Sequence, residues 1–291
     1  VVVLLILLIK SKLLRVKMSL LGSLLALALT LAFLASSGAL ALIAGGPAAA
    51  GDWVRLPGGE FQSVLRYEDT GGKVVVAPFE LQKRPVTNAE YAAFVKANPQ
   101  WRRDKVARVF ADDRYLSQWD GPATLGGPKA QPQQPVVHVS WFAAQAYCEA
   151  QGGRLPTWAE WEYASAADET RADARSDPRW RERILAWYAV PSSRPLPEVG
   201  QTPVDVHGVQ DLHGLVWEWV EDYSAMLVSA DNRDQGDPDN LKFCGAGALS
   251  MDDRENYAVL MRVAMLSALE GDDTTKNLGF RCARDLPGAM P

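Results

Sequence analysis

Two histidines and a carboxylate occupy one short stretch of this sequence. His207 and His213 are six residues apart, and Asp211 lies between them. Two imidazoles and a carboxylate are a ligand set that can hold iron or copper. The same side chains can also line a pocket that holds no metal, because spacing along the chain does not fix their geometry. Both interpretations stay open, with Asp211 and Glu218 as the candidate metal ligands.

Glu218 is a carboxylate between two aromatic residues, Trp217 and Trp219. A carboxylate buried without a partner has a raised pKa and can carry a proton in catalysis. A buried carboxylate with hydrogen-bond donors around it is instead structural. The third histidine, His138, lies in a run of valines and is predicted to be a core or turn residue.

The chain has three cysteines, Cys148, Cys244 and Cys282. Three are too few for a small scaffold held together by disulfides. Cys244 precedes Gly245 in an apolar setting, where it is either a lone nucleophile or an inert thiol. The apolar setting favours the inert structural thiol.

Composition and charge limit the class of protein. Of the 291 residues, 48% are hydrophobic and 22% are charged, which is typical of a globular protein. The first fifty residues contain four basic and no acidic residues, so residues 51–291 contain 26 basic and 35 acidic residues, a net charge of −9. Binding to nucleic acid needs a basic surface, and we therefore expect no nucleic-acid partner.

Residues 1–50 have the pattern of a secretory signal: a basic flank, an apolar run and then three alanines. The apolar run, within residues 18–44, is also long enough for a membrane anchor, which needs about 20 residues. Cleavage and retention both stay open, and Met18 is the predicted start. In either case we expect residues 51–291 to fold in the periplasm or to be secreted, with membrane contact through 18–44 alone.

The elements that must position these side chains are short. Capping boxes at 87–90 and 157–160 predict the starts of two helices, and Ser140 predicts the start of another that ends at Ala150. Residues 98–134 are polar and contain Pro and Gly, which predicts a long surface insertion. Short helices among short strands and long loops predict one α+β domain over 51–291. The predicted strand segments are 54–61, which is broken by Pro57, Gly58 and Gly59, and 74–86, 217–223 and 278–284.

An ordered set of motifs runs along the predicted domain. The motifs are PGGEF at 57–61, RPVTNAEY at 84–91, PVVHVSW at 135–141, RLPT at 154–157, GVQDLHG at 208–214, VWEW at 216–219 and NLGFRCA at 277–283. Taken together over about residues 53–286, they resemble the formylglycine-generating enzyme family, also called sulfatase-modifying factors. The resemblance implies a C-type-lectin-like fold with short helices and strands and long loops.

The resemblance also implies a copper chemistry that this chain lacks the residues to perform. Family members oxidise a substrate Cys to formylglycine with oxygen, and they hold copper(I) between two thiolates, which are soft ligands. Those thiols precede the Arg that matches Arg262, and their positions fall on Asp253 and Ala258. A carboxylate and a methyl group cannot form a dithiolate site. We therefore expect no copper thiolate pair and no formylglycine formation.

Calcium and a disulfide are two further features that the resemblance implies. The family's calcium ligands include an Asn at the position of Leu215, and calcium needs six to eight oxygens. We therefore do not expect a calcium site. The resemblance also implies a disulfide between Cys148 and Cys282, which leaves Cys244 as a free thiol.

Three function hypotheses follow from the resemblance. The first is an exported factor for oxidative maturation of a protein or peptide, similar to nitrite-reductase accessory proteins and pyoverdine-maturation relatives. The second is a catalytically inactive, lectin-like binding module, and the third is an authentic sulfatase activator, which the missing thiol pair opposes. The expected pocket residues are those nearest the family's working site: His207, His213, Trp217, Glu218 and Arg262.

Overall fold

Seven strands and five α-helices occur in the described residues of this computed structural model. The structure describes residues 53–65, 72–190, 194–226 and 257–287, with side chains from residue 259 onward in the last range. All of them belong to one compact unit, Ala48–Pro291. The mixture of short helices and short strands agrees with the predicted α+β class.

The strands form one three-stranded sheet and two pairs. Their bounds are β1 Trp53–Leu56, β2 Gly59–Gln62, β3 Lys73–Val76, β4 Phe79–Gln82, β5 Trp217–Glu218, β6 Leu278–Gly279 and β7 Ala283–Asp285. The sheet is antiparallel with the order β1-β4-β7, and β2 pairs antiparallel with β3. β5 and β6 are parallel. The turn between β1 and β2 needs Gly58, because its φ is 66° and a Cβ there would collide with the Val76 carbonyl.

The sequence prediction overestimated the length of the later strands. Instead of continuous strands over 217–223 and 278–284, the parallel pairing of β5 with β6 covers two residues on each strand. The N–H of Trp219 makes one further bond to the Gly279 carbonyl, at 3.0 Å. Residues 278–284 are largely buried, as predicted, whereas in 217–223 burial is confined to Glu218, Trp219 and Val220. Burial follows the apolar pattern, whereas ladder length depends on the path of the neighbouring chain.

The helices are α1 Asn88–Ala97, α2 Trp141–Ala150, α3 Trp158–Ser165, α4 Pro178–Tyr188 and α5 Tyr257–Ser267, and a 3₁₀ turn spans Pro99–Trp101. Three of them begin where their capping residues predict. Thr87 and Thr157 form complete capping boxes with Glu90 and Glu160, and the Ser140 hydroxyl accepts from the N–H of Ala143. Local hydrogen bonding therefore fixes the starts of α1, α2 and α3.

A disulfide joins Cys148 in α2 to Cys282, the residue before β7. The two Cα atoms are 5.4 Å apart, and 134 positions separate the residues along the chain. Both residues are fully buried. This confirms the pairing that the family resemblance implied. Cys244, the expected free thiol, lies outside the described residues.

Residues 98–134 lie mostly at the surface, as their composition predicted, but a few large side chains of the segment reach the core. Tyr115 and Trp119 are buried in the main core. The Tyr115 and Tyr91 hydroxyl oxygens are 2.8 Å apart, and the Trp119 indole N–H donates to the Asn88 side chain at 3.0 Å. These large side chains anchor the segment to the core. The polar composition of residues 98–134 as a whole does not indicate them.

The expected signal or anchor stays a prediction, because residues 1–50 lie outside the described part of the chain. Within the described ranges, no helix combines the length and the apolar character that crossing a bilayer requires.

Candidate functional site

Glu218 on β5 is fully buried and forms an ion pair with Arg281. The guanidinium donates to both carboxylate oxygens, at 2.8 and 2.9 Å, and both side chains are 0% exposed. The indole N–H of Trp161, on α3, donates to the same carboxylate at 2.9 Å. Fixed donors therefore occupy both oxygens, which is the geometry of a structural carboxylate.

Arg281 connects Glu218 to two other segments of backbone. Its remaining N–H groups donate to the carbonyls of Gln82 and Lys83, both at 3.2 Å, and of Gln210, at 2.9 Å. The parallel pairing of β5 with β6 places Glu218 opposite Gly279, two residues before Arg281. One buried guanidinium thus joins the end of β4, the loop at Gln210 and β5.

Arg262, on α5, is a second buried cation beside Glu218. Its guanidinium carbon lies 3.5 Å from the centroid of a Trp161 ring, and it donates to the Glu218 main-chain carbonyl. Burial lowers the pKa of Arg262 to about 10, so it keeps its charge at neutral pH. Its Nε has no hydrogen-bond partner among the described residues. The aromatic face of Trp161 therefore takes a large part in stabilising this charge.

His213 makes edge-to-face contacts with two tryptophans. Its ring centroid lies 5.7 Å from that of Trp161 and 5.5 Å from that of Trp180 on α4. Its Nε2 is 2.9 Å from the Ser165 carbonyl oxygen. A carbonyl only accepts, so Nε2 carries the proton, and Nδ1 is the basic nitrogen of the neutral ring. Burial lowers the pKa of His213 to about 4, so the ring is neutral at pH 7.

We expect His213 to make the protein sensitive to acid. Its pKa is about 4 in the folded state and 6.5 in the reference state, so between these values the unfolded chain binds the proton more strongly. Stability from this residue is complete above pH 6.5 and is lost as the pH falls towards 4. His213→Gln keeps a donor for Ser165 and removes the titration. Urea unfolding at pH 7 and pH 5 should show a smaller loss of stability for this variant, and equal losses would contradict the assignment.

His207 lies apart from His213 in the structure. Its ring stacks on Tyr163, with centroids 5.8 Å apart, and the Asp205 carboxylate accepts from its backbone N–H. It lines none of the cavities described below. The sequence analysis predicted one pocket for His207 and His213. In the structure, the two side chains contact different neighbours.

The two candidate metal ligands are both occupied by protein donors. The Asp211 carboxylate accepts from the backbone N–H groups of Gly200 and Thr202 and from the Thr202 hydroxyl, and Glu218 is paired with Arg281. In the described ranges, no three His, Cys, Asp or Glu side chains form a cluster that could hold a metal. As arranged, these two carboxylates do not fit a calcium ion, which would have to displace their donors.

Trp217 lines an open cavity of about 430 Å³, here called the aromatic cavity. Trp187 and Tyr188, at the end of α4, lie against it, with ring centroids 5.7 and 5.3 Å from that of Trp217. Burial raises the pKa of Tyr188, so the phenol is neutral at physiological pH. The sequence analysis missed both residues, because none of the motifs contains them.

His213 lines a different, smaller cavity of about 190 Å³. Gly214 lines both cavities. His213 and Trp217 therefore line two neighbouring cavities that meet at Gly214. Of the five expected pocket residues, Glu218 and Arg262 form the buried support beneath, and His207 lies elsewhere.

The family of the chain follows from a comparison with family models. The model described as the sulfatase-modifying factor enzyme 1-like domain matches residues 41–286. The chain belongs to the sulfatase-modifying factor family. This confirms the resemblance carried by the ordered motifs and agrees with the mixed helix and strand fold. The C-type-lectin-like description of that fold stays a prediction.

Curated relatives of this sulfatase-modifying factor family member differ in their named activities. It is 32% identical over 290 residues to the formylglycine-generating enzyme of Streptomyces coelicolor, covering 80% of this chain and 88% of the relative. It is 28% identical over 277 residues to the inactive C-alpha-formylglycine-generating enzyme 2 of Bos taurus, with coverage of 79% and 87%. It is 34% identical over 203 residues to the hercynine oxygenase of Mycolicibacterium smegmatis, with coverage of 61% and 47%.

A solved structure with a similar chain is PvdO from Pseudomonas aeruginosa. The match covers 80% of this chain and 94% of PvdO, with 23% sequence identity and a TM-score of 0.43.

Proposed function

We propose that this protein is an exported maturation or accessory factor that acts oxidatively on a protein or peptide in the periplasm. The observation that carries the proposal is the aromatic cavity at Trp217, which is open and large enough for side chains of a partner. The name of one relative, hercynine oxygenase, describes an oxygen-using enzyme and supports an oxidative role.

We further propose that the protein does not make formylglycine. The 291 residues contain three cysteines, and the disulfide uses Cys148 and Cys282. Cys244 is then the one thiol left in this sequence, whereas a dithiolate copper site needs two. Asp253 lies outside the described residues and the Ala258 side chain is not described, so this step rests on the cysteine count and the motif alignment. The same count opposes an authentic sulfatase activator.

A peptide assay tests the absence of formylglycine formation. The protein is incubated with copper(I), oxygen and a Cys-x-Pro-x-Arg peptide, and the peptide mass is measured. We expect no change in mass, because one thiolate cannot replace the family's dithiolate site. The Streptomyces coelicolor enzyme, under the same conditions, is the positive control. Loss of sulfur from the peptide in the presence of this protein would contradict the proposal.

The oxidative role is tested on exported proteins of the source organism. Peptide masses are compared between the wild-type strain, a deletion strain and deletion strains that express variants. We expect a small number of exported peptides to lose an oxidative mass change on deletion. The wild-type gene and Trp101→Ala, a change outside the cavities, should restore it, whereas Trp217→Ala should not. Identical peptide masses in all strains would reject the oxidative role.

A catalytically inactive, lectin-like binding module is the alternative function. The observation that favours it is the full occupation of Asp211 and Glu218 by protein donors, which leaves neither carboxylate free for chemistry. A relative named as inactive shows that such members are recognised in this family. The alternative predicts a partner that is captured at Trp217 and whose mass is unchanged.

Export itself is part of the proposal. Residues 1–50 lie outside the described structure, and the support for export is their signal-like pattern. We expect the mature protein to begin near Gly51 and to be found outside the cytoplasm. Amino-terminal sequencing of the fractionated protein tests this, and a start at Met18 in the membrane fraction would indicate the anchor instead.

A further inference from the structure

A groove with a cationic lining begins at the aromatic cavity. A neighbouring cavity of about 770 Å³ shares four lining residues with the aromatic cavity: Arg194, Pro195, Leu196 and Lys276. The two spaces therefore adjoin, and together they are called the cationic groove. Its lining changes along its length from aromatic rings at Trp217 to charged and polar side chains.

The charge of the groove is opposite to that of the domain. Residues 51–291 have a net charge of −9, yet the groove contains Lys129, Arg194 and Lys276 and one carboxylate, Asp120. Within the described part of the chain, no carboxylate forms an ion pair with any of these three cations. The smaller cavity at His213 has the reverse balance, with four carboxylates and one arginine.

The one carboxylate of the groove is packed against its own loop. Asp120 lies so close to the backbone of Gly126 that a Cβ on this glycine would collide with the carboxylate. Gly127, next along the chain, adopts φ 70°. The two glycines thus allow the loop to close around Asp120, and the three cations are left facing a groove with little negative charge.

Two buried polar atoms of the groove have no partner. Gln118 and His138 line the larger cavity, and neither Gln118 Nε2 nor His138 Nδ1 has a hydrogen-bond partner among the described residues. Gln118 Nε2 can only donate. Buried polar atoms in folded proteins are nearly always paired, so the described residues leave the polar groups of this wall incompletely satisfied.

The backbone at His138 is held in an unusual conformation beside this cavity. Its φ is 55°, which residues other than glycine seldom adopt. Its N–H donates to the Thr275 carbonyl and its carbonyl accepts from the Leu116 N–H, both at 2.9 Å. Such strained residues cluster at ligand sites, where the surrounding structure fixes them. The sequence analysis predicted a core or turn residue, and the structure places a turn residue at the groove wall.

We propose that the cationic groove binds an acidic peptide segment of the protein substrate. An apolar side chain enters the aromatic cavity against Trp217, and neighbouring carboxylates pair with Arg194, Lys276 and Lys129. This rests on the proposed function, which supplies a protein or peptide as the occupant. Two adjoining cavities with different linings suit an extended peptide chain better than one small molecule. A peptide carrying Arg would bring like charges together and bind poorly.

Fluorescence anisotropy of labelled peptides tests the proposal with the full chain in a non-ionic detergent. The probes are the acidic peptide GFEDEG, its amide counterpart GFQNQG and the basic peptide GFRKRG. We expect GFEDEG to bind at least about tenfold more tightly than GFQNQG at low salt, and GFRKRG to bind least. Added salt should weaken the binding of GFEDEG, because the groove is open to solvent.

Variants of the groove separate specific binding from general charge attraction. The double variant Arg194→Gln with Lys276→Gln should weaken GFEDEG binding by about tenfold, as expected for the loss of two exposed charge contacts. Lys105→Gln removes one positive charge from a surface outside the three cavities. This control should leave the affinity for GFEDEG unchanged. Trp217→Ala should weaken GFEDEG more than GAEDEG, because only the first carries a side chain for the aromatic cavity.

Several outcomes would overturn the proposal. Equal affinity for GFEDEG and GFQNQG would exclude recognition of carboxylates, and an equal effect of Lys105→Gln would indicate nonspecific attraction. Binding of citrate without binding of GFEDEG would make the groove a site for small anions. Anisotropy measures binding without turnover, so GFEDEG binding with unchanged exported-protein masses would reject the oxidative role and leave the groove assignment intact.

Discussion

Replacing Arg281 with methionine is expected to lower the free energy of unfolding by about 3–5 kcal/mol, because the change leaves the Glu218 carboxylate buried without a cation. Both side chains of this pair are 0% exposed. The substitution also removes donors from the Gln82, Lys83 and Gln210 carbonyls. Removing one member of a fully buried pair costs far more than removing one member at the surface.

Two matched variants show whether the buried charge is the cause. Arg281→Met combined with Glu218→Gln should be more stable than Arg281→Met alone, because the amide carries no charge that needs a partner. Arg102→Met breaks the solvent-exposed pair with Asp104, and it should cost far less stability than Arg281→Met. Urea unfolding followed by tryptophan fluorescence gives the three values. An Arg281→Met variant within about 1 kcal/mol of wild type would contradict the prediction.

Local rules predicted the starts of the helices correctly. Thr87, Ser140 and Thr157 are N-caps in the structure, because a capping hydrogen bond joins residues three positions apart and needs no tertiary contact. The disulfide between Cys148 and Cys282 was predicted through the family resemblance. Spacing alone does not select that pair from three cysteines.

The arrangement of the candidate site could not be predicted from spacing. His207 and His213 were expected in one pocket, but Gly208 and Asp211 between them adopt φ 91° and 62° and turn the chain. Each ring then meets a different aromatic neighbour. Short-range spacing defines a shared face in a helix or a strand, and this loop is neither.

The ion-pair partner of Glu218 also could not be predicted from the sequence. Arg281 lies 63 positions further along the chain, and their contact depends on the short parallel pairing of β5 with β6. The choice between a catalytic and a structural carboxylate turned on this contact. Trp187 and Tyr188 were missed for a similar reason, because the end of α4 reaches Trp217 only in the folded chain.

Removing the disulfide by the paired change Cys148→Ala and Cys282→Ala is expected to lower the free energy of unfolding by up to about 5 kcal/mol. The bond closes a loop across 134 positions, and in the chain-entropy model a long loop restricts the unfolded chain strongly. Both residues are fully buried, so the substitutions also remove packed sulfur atoms from the core. Cys244→Ala, the matched control, should leave the bond in place and the stability nearly unchanged.

Thiol titration and unfolding together decide the disulfide prediction. The denatured, unreduced protein should show one reactive thiol, and three after reduction, because three cysteines are present and two are paired. The Cys244→Ala control should show none before reduction and two after it. Three reactive thiols in the unreduced wild type, or equal stability of the paired variant and the control, would contradict the prediction. The second result would mean that the buried bond adds little to the stability of the folded core.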